Sequence, residues 1–264
     1  MSKSPQKDDT KDVRDIIQFA SEFVNSTSRN IFLTGKAGTG KTTFLRSLSE
    51  ITHKNFVVVA PTGIAALNAG GVTIHSQFLF PLGSFVPDTN NPDRFANNGG
   101  MHTRHDLVRK HPLNSDRRQV LRSIELLVID EVSMLRADVL DAIDFRMKKV
   151  RNNFRESFGG VQVMFIGDLF QLPPIVKDHE WNHLRHYYRS MHFFEALVLK
   201  QDPPVYIELN KIFRQEDGGF IHILNNLRNN KTNQEDLERL NEHYRPEEAA
   251  DEGVFTVTTH NNKA

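Results

Sequence analysis

The stretch Gly35-Lys36-Ala37-Gly38-Thr39-Gly40-Lys41-Thr42 constrains the fold of this chain more than any other. An apolar run, Ile31-Phe32-Leu33, precedes it, and a segment of helical composition at 42–49 follows. Its glycines free the backbone to curl so that successive N–H groups point inward, and a helix starting at the loop's end adds partial positive charge there. The segment therefore predicts a strand, a phosphate-cradling loop and a helix in succession. Lys41 is placed to reach the β and γ phosphates of a nucleotide, and Thr42 to ligate magnesium. Gly35, Ala37, Gly38, Thr39, Gly40 and Thr43 complete the expected nucleotide-binding loop. A plain glycine-rich turn is the competing reading, and the strand and helix on either side weigh against it.

Four further apolar runs recur along the chain: Phe56-Val57-Val58-Val59-Ala60, Leu126-Leu127-Val128-Ile129, residues 161–166, and Val205-Tyr206-Ile207-Glu208-Leu209. Near-continuous runs of this length suit strands covered on both faces, as in a parallel sheet. Helical patterns lie between them, at 64–68 and 137–150, and an apolar stripe of Val13, Ile16, Ile17, Ala20 and Val24 comes before the first. The alternation predicts an α/β fold with a parallel central sheet flanked by helices. Residues 1–11 are polar and read as a frayed tail. Residues 83–118 carry Pro87, Pro92, Pro112 and Gly99-Gly100 with little apolar periodicity, so they read as an insertion into the domain.

The chain has no cysteine, which excludes a disulfide scaffold, a thiolate zinc site and a cysteine nucleophile. No apolar run approaches the ~18 residues of a membrane span, and the first residues lack the apolar core of a secretory signal. A soluble intracellular protein with no membrane partner is expected. The 33 basic and 33 acidic residues cancel, which rules out a global basic field. The charge is uneven, however. Residues 104–122 (Arg117, Arg118 and Arg122 among them) and 146–155 are basic, and they are the expected sites of further phosphate contacts; solvated faces are the competing reading. The histidines, His179, His183 and His186 included, lack the carboxylate or cysteine company of a metal centre, so no metal beyond magnesium is expected.

The run 126–129 closes on Asp130-Glu131. Beside a phosphate loop, such a pair divides the work: Asp130 holds magnesium and Glu131 polarises the attacking water. A hydrolase needs that second acid, whereas a nucleotide kinase must keep water out. Gln171, in Gly167-Asp168-Leu169-Phe170-Gln171-Leu172-Pro173-Pro174, follows the next strand and can bond a γ-phosphate. Arg214 follows the last core strand, where it can stabilise charge on the transferring phosphate or simply lie on the surface. Pro61, Thr62 and Gly63 end the second strand, and Thr73, His75, Ser76, Gln77 and Phe78 come shortly after. These residues could bond or stack on a nucleic-acid strand; helix capping and a buried histidine are the plainer reading.

In this order the motifs resemble the petite-integration-frequency (PIF-type) family of DNA helicases, in the RecD-like branch of superfamily one. The residues that carry the resemblance are 32–42, Ala60-Pro61-Thr62-Gly63, 73–78, Asp130-Glu131-Val132-Ser133-Met134-Leu135 and 167–174, and 130–151 looks like the family's own signature segment. It implies a RecA-like motor domain over 12–82 and 119–217, with 83–118 as a small inserted domain that helps separate strands. It implies ATP and magnesium as cofactors and 5′-to-3′ movement on single-stranded, forked or structured DNA, with roles in DNA repair, recombination and telomere maintenance. Gln18 becomes the candidate adenine reader. Pro61, Thr62, Gly63 and 73–78 become the candidate DNA track; Lys41, Glu131, Gln171 and Arg214 become the catalytic set. Such helicases need a second RecA-like domain whose motifs are not found here, so 218–264 reads as a connector and the start of that domain. A nucleotide-gated DNA-binding module without turnover is the alternative, and Glu131 speaks against it.

Overall fold

The computed structural model describes residues 9–87, 100–210 and 218–244. The chain divides into two compact units, Met1–Arg214 and Gln215–Ala264. Arg214 and the apolar run at 254–259 lie outside the described residues. Among the described residues, no helix is long and apolar enough to cross a membrane.

The first unit is built on a six-stranded parallel sheet. Helix α1 (Asp9–Ser26) begins inside the stretch expected to be a frayed tail, and strand β1 (Ile31–Gly35) follows. Then come α2 (Lys41–Ile51), β2 (Phe56–Ala60), α3 (Gly63–Asn68), β3 (Val72–Thr73) and α4 (Ile74–Phe78). Next are β4 (Ser84–Val86), β5 (Met101–Thr103), α5 (Arg104–Arg109) and α6 (Ser115–Ser123). Strand β6 (Leu126–Ile129), α7 (Ala137–Arg151), β7 (Gln162–Gly167), α8 (Asp178–Leu184), α9 (Leu197–Gln201) and β8 (Val205–Leu209) complete it. The sheet order is β3-β2-β6-β7-β1-β8, with every pairing parallel.

All residues of β1, β6 and β7 are buried, and alternate side chains divide between two cores. Phe32, Leu127, Ile129, Val163 and Phe165 join the α7 side, with Phe165 stacked on Phe193. Ile31, Leu33, Leu126, Val128, Met164 and Ile166 join the other side, with Ala20 and Val24 of α1 and Phe44, Leu45 and Leu48 of α2. This double burial is why the runs read as continuous apolar stretches rather than as alternating ones.

The described part of 83–118 does not stand apart. Strands β4 and β5 form a parallel pair, and Phe85 and Leu107 pack with Ala142 of α7. Helix α5 is closed by a capping box in which Thr103 and Asp106 bond each other's backbone N–H groups. In the second unit, α10 (Gly218–Arg228) and α11 (Gln234–Asn241) are joined by Asn226, which donates to Asp236 at 2.9 Å.

Candidate functional site

Parallel register brings three loops to one edge. Ile129 of β6 pairs with Phe165 of β7, and Phe165 pairs with Phe32 of β1. Asp130 and Glu131 therefore leave β6 beside Gly167, which is itself level with Thr34. Strands lie about 4.8 Å apart, so the acids and the loop after β1 stand two strands, on the order of 10 Å, from each other. This is the C-terminal edge, where open parallel sheets take their ligands.

The loop after β1 has the backbone of a phosphate cradle. Gly38 and Gly40 take φ of +79° and +94°, in the left-handed region open to glycine. At Gly35 a Cβ would meet the Leu209 carbonyl oxygen at 2.4 Å and Thr39 Oγ1 at 2.6 Å, so no larger residue fits. Thr39 is buried and its hydroxyl donates to the Lys36 carbonyl at 2.9 Å, pinning the curl. Gly40 caps α2 without a side-chain bond, which leaves the first-turn N–H groups uncapped by any side chain. Lys41 Nζ lies 2.7 Å from the Gly35 carbonyl and 2.9 Å from that of Lys36, so its ammonium is drawn over the loop. Ala37, Thr42 and Thr43 are exposed along the rim.

The acidic pair is held in a special backbone. Glu131 takes φ +52°, ψ +47°, a left-handed conformation that costs a residue with a side chain roughly 1–2 kcal/mol. The 3-10 turn Val132–Met134 locks it, with the Met134 N–H on the Glu131 carbonyl at 3.1 Å. Gly167 allows the close approach, since a Cβ there would meet the Val132 nitrogen at 2.9 Å. Burial pushes the Asp130 carboxyl up to about 6; the Glu131 N–H counters this, the Glu131 charge adds to it, and Lys41 pulls it back down. Lys41 and Asp130 thus feel each other's charge across the edge.

Gln171 is exposed in the loop after β7, and its Nε2 lies 3.4 Å from Asp168 Oδ2. Asp168, which the motif reading passed over, is buried; its carboxylate accepts the Phe170 N–H at 3.1 Å and its carbonyl the Gln171 N–H at 3.0 Å. An acid directly after a strand-ending glycine was the available signal. Gln18 is exposed on α1 and donates to Glu22 at 2.8 Å, one turn along its own helix.

The expected DNA track is only partly on the surface. Thr62 caps α3 by accepting the Ala65 N–H at 3.2 Å, and Thr73 caps α4 by accepting the Ser76 N–H at 3.2 Å. Gly63 and Ser76 are exposed, with Pro61 and His75 half-buried. His75 meets Phe80 edge-on at 6.4 Å; burial lowers its pKa, Arg136 lowers it further, and Asp138 opposes both. Phe78 and Gln77 must be withdrawn from the track. Phe78 is 0% exposed and stacks on Phe80 in the core, and Gln77 is buried beside it. Helical geometry turns both inward, because α4 must bury Ile74 and Phe78 on one face.

The basic stretches are largely spent inside the protein. Arg146 is buried and donates to the carbonyls of Leu107 at 2.7 Å and His111 at 3.0 Å. Arg151 donates to Arg122, Gly159 and Ile124 carbonyls, and Lys148 pairs with Asp144 at 2.8 Å. Arg122 donates to the Val150 carbonyl at 3.0 Å and Arg117 to that of Ser76. These side chains satisfy backbone carbonyls at helix ends and loops; Arg118, Lys149 and Arg155 stay exposed.

The parallel sheet, the glycine loop after β1 and the acidic pair after β6 define a RecA-like P-loop domain. The profile of PIF1-like helicases matches residues 7–91 and 100–238. The ATP-dependent DNA helicase PIF1 of Saccharomyces cerevisiae (strain YJM789) is 37% identical over 226 residues, covering 83% of this chain and 23% of that protein. Pif1 helicase from Bacteroides, solved in complex with ADP-AlF3 and ssDNA, matches with a TM-score of 0.75 at 40% identity, over 95% of this chain and 52% of that one. A structure of two coordinating Pif1 helicases, described as the basis for DNA unwinding at forked dsDNA, gives a TM-score of 0.75 at 42% identity, over 86% of this chain and 51% of that one. The chain belongs to the PIF1-like helicase family. It spans about a quarter of the length of the curated relatives and about half that of the solved chains.

Proposed function

We propose that this chain carries the first motor domain of an ATP-dependent 5′-to-3′ DNA helicase, acting on single-stranded and forked DNA. The observation that carries this reading is the convergence of Lys41, Asp130 and Glu131 on one sheet edge around an uncapped helix start. The relatives named above as helicases, and the Bacteroides protein solved with ADP-AlF3 and ssDNA, support it.

The loop 35–42 takes the phosphates of ATP, with backbone N–H groups as donors and Lys41 moving from its own loop carbonyls onto the β and γ oxygens. Thr42 and Asp130 would hold magnesium, which neutralises charge on the phosphates when bound. Glu131 orients and deprotonates the attacking water. Gln171 reads the γ-phosphate, and its loss on hydrolysis changes that loop. The caps of α3 and α4 and His75 face the DNA strand, and 83–118 helps divide the duplex. A second RecA-like domain of the whole helicase supplies an arginine to the transition state, a group worth roughly 10³-fold or more in related reactions.

Steady-state ATP hydrolysis with and without single-stranded DNA tests the reading, beside Lys41→Ala. Slow turnover that vanishes in the variant is expected. A wild-type chain that binds neither ATP nor single-stranded DNA would contradict it.

A further inference from the structure

The turn after the acidic pair ends in a guanidinium that the roles above leave unused. Arg136 lies between the 3-10 turn and α7, with its side chain 15% exposed. It grips Asp138 with two prongs, Nε to Oδ1 at 2.9 Å and Nη2 to Oδ2 at 2.8 Å. Nη2 also donates to Ser84 Oγ in β4 at 2.7 Å, and Nη1 to Glu180 Oε2 in α8 at 3.3 Å. The acceptors are tied in as well. Asp138 Oδ2 accepts the Phe85 N–H of β4 at 2.9 Å, and Glu180 Oε2 accepts the Lys177 N–H at 3.2 Å. The Ser84 hydroxyl donates to Glu180, which closes the ring. Burial alone would lower the guanidinium pKa, and Asp138 and Glu180 more than offset it.

Each arm leads to a different part of the proposed machinery. Arg136 ends the turn that begins at Asp130 and Glu131. Helix α8 closes the loop that carries Gln171. Strand β4 opens the 83–118 stretch, and the charges of Arg136 and Asp138 both act on His75 of α4. Stability by itself does not call for such a site, because packed apolar groups in place of a buried ion pair are often neutral or better. A fork of fixed planar donors is satisfied in one mutual arrangement of its partners, so it fixes geometry.

We propose that Arg136 is a positioning residue that couples nucleotide at the β1–β7–β6 edge to the DNA strand at α3 and α4, by holding the acidic turn, the Gln171 loop and β4 in one arrangement. The proposal rests on the ATP and single-stranded DNA reading given above.

Ser84→Ala and Glu180→Gln each weaken one arm and leave the Arg136–Asp138 pair in place. Affinity of the full chain for a labelled oligothymidine is measured by fluorescence anisotropy, with and without ADP-aluminium fluoride. The wild-type ratio of the two affinities is expected at about fivefold or more, within the usual range of coupling. In both variants the ratio falls below about twofold, while nucleotide alone and oligothymidine alone bind within about twofold of wild type. Variants that keep the wild-type ratio overturn the proposal, and so does a wild-type ratio of one. Affinities that fall together with the melting temperature overturn it too, by making the network purely structural. A wild-type chain that binds neither ligand sinks the underlying reading instead, and the coupling with it.

Discussion

Asp130 keeps a carboxylate where burial opposes its charge, and that conflict has a measurable sign. Its folded pKa of about 6 lies above the unfolded carboxylate value of 3.8. Between those values the folded state binds more protons than the unfolded state, so stability falls as pH rises through that window. Above it the full cost of the charge remains. Asp130→Asn removes the charge, so the variant is expected to melt higher than wild type at pH 8, by a free energy on the order of 1–3 kcal/mol. The advantage should shrink as pH drops through 6 and vanish near 4, and thermal melts across that range would show it. A constant difference at all pH values would contradict the account. Phe78 makes the opposite case. Sequence spacing alone offered it to DNA, and its full burial removes it. Phe78→Ala should cost about 3–5 kcal/mol in denaturant melts, with single-stranded DNA affinity of the folded protein unchanged.

Helix α7 shows what a whole element contributes beyond its apolar stripe. It buries Asp138, Asp141, Asp144 and Arg146 among its apolar residues. Asp141 accepts the Tyr188 hydroxyl at 2.8 Å and the Leu197 and Val198 N–H groups at 3.0 Å each, at the start of α9. Burial pushes the carboxyl up, and these three donors draw it back. Burial and the Asp141 charge push the Tyr188 phenol up, so it stays a donor. Asp141→Ala strands three donors and should cost about 3 kcal/mol or more, whereas Asp141→Asn keeps an acceptor and should cost clearly less; chemical denaturation of both checks this. None of this was legible in the chain. A helix rich in Asp, Lys and Arg reads as a solvated face, and the partners of these acids lie far off in sequence, 56 and 57 residues away for Leu197 and Val198. The same blindness turned Arg146 and Arg151 into expected phosphate contacts. The strands were legible for the converse reason: β1, β2, β6 and β7 are short apolar runs between glycine, proline and charge. Strands β4 and β5, three residues each and joined across a distant register, leave no such run.

At the scale of the molecule, the sheet converts separate motifs into a site. The phosphate loop and the acidic pair could be assigned from residue types alone, because the chemistry of phosphate demands glycine, lysine and paired acids at strand ends. Their mutual placement needed the strand order, since β7 lies between β1 and β6 and brings the Gln171 loop between the other two. That arrangement makes one claim central: Glu131 is set for the chemical step and not for holding ATP. Single-turnover hydrolysis of bound ATP by wild type and Glu131→Gln tests it most directly, with nucleotide affinity measured on the same samples. The account predicts that the variant binds ATP within about threefold of wild type and hydrolyses it more than ~100-fold more slowly, the usual range for loss of a general base. Hydrolysis at the wild-type rate, or a variant that fails to bind ATP while remaining folded, would contradict it.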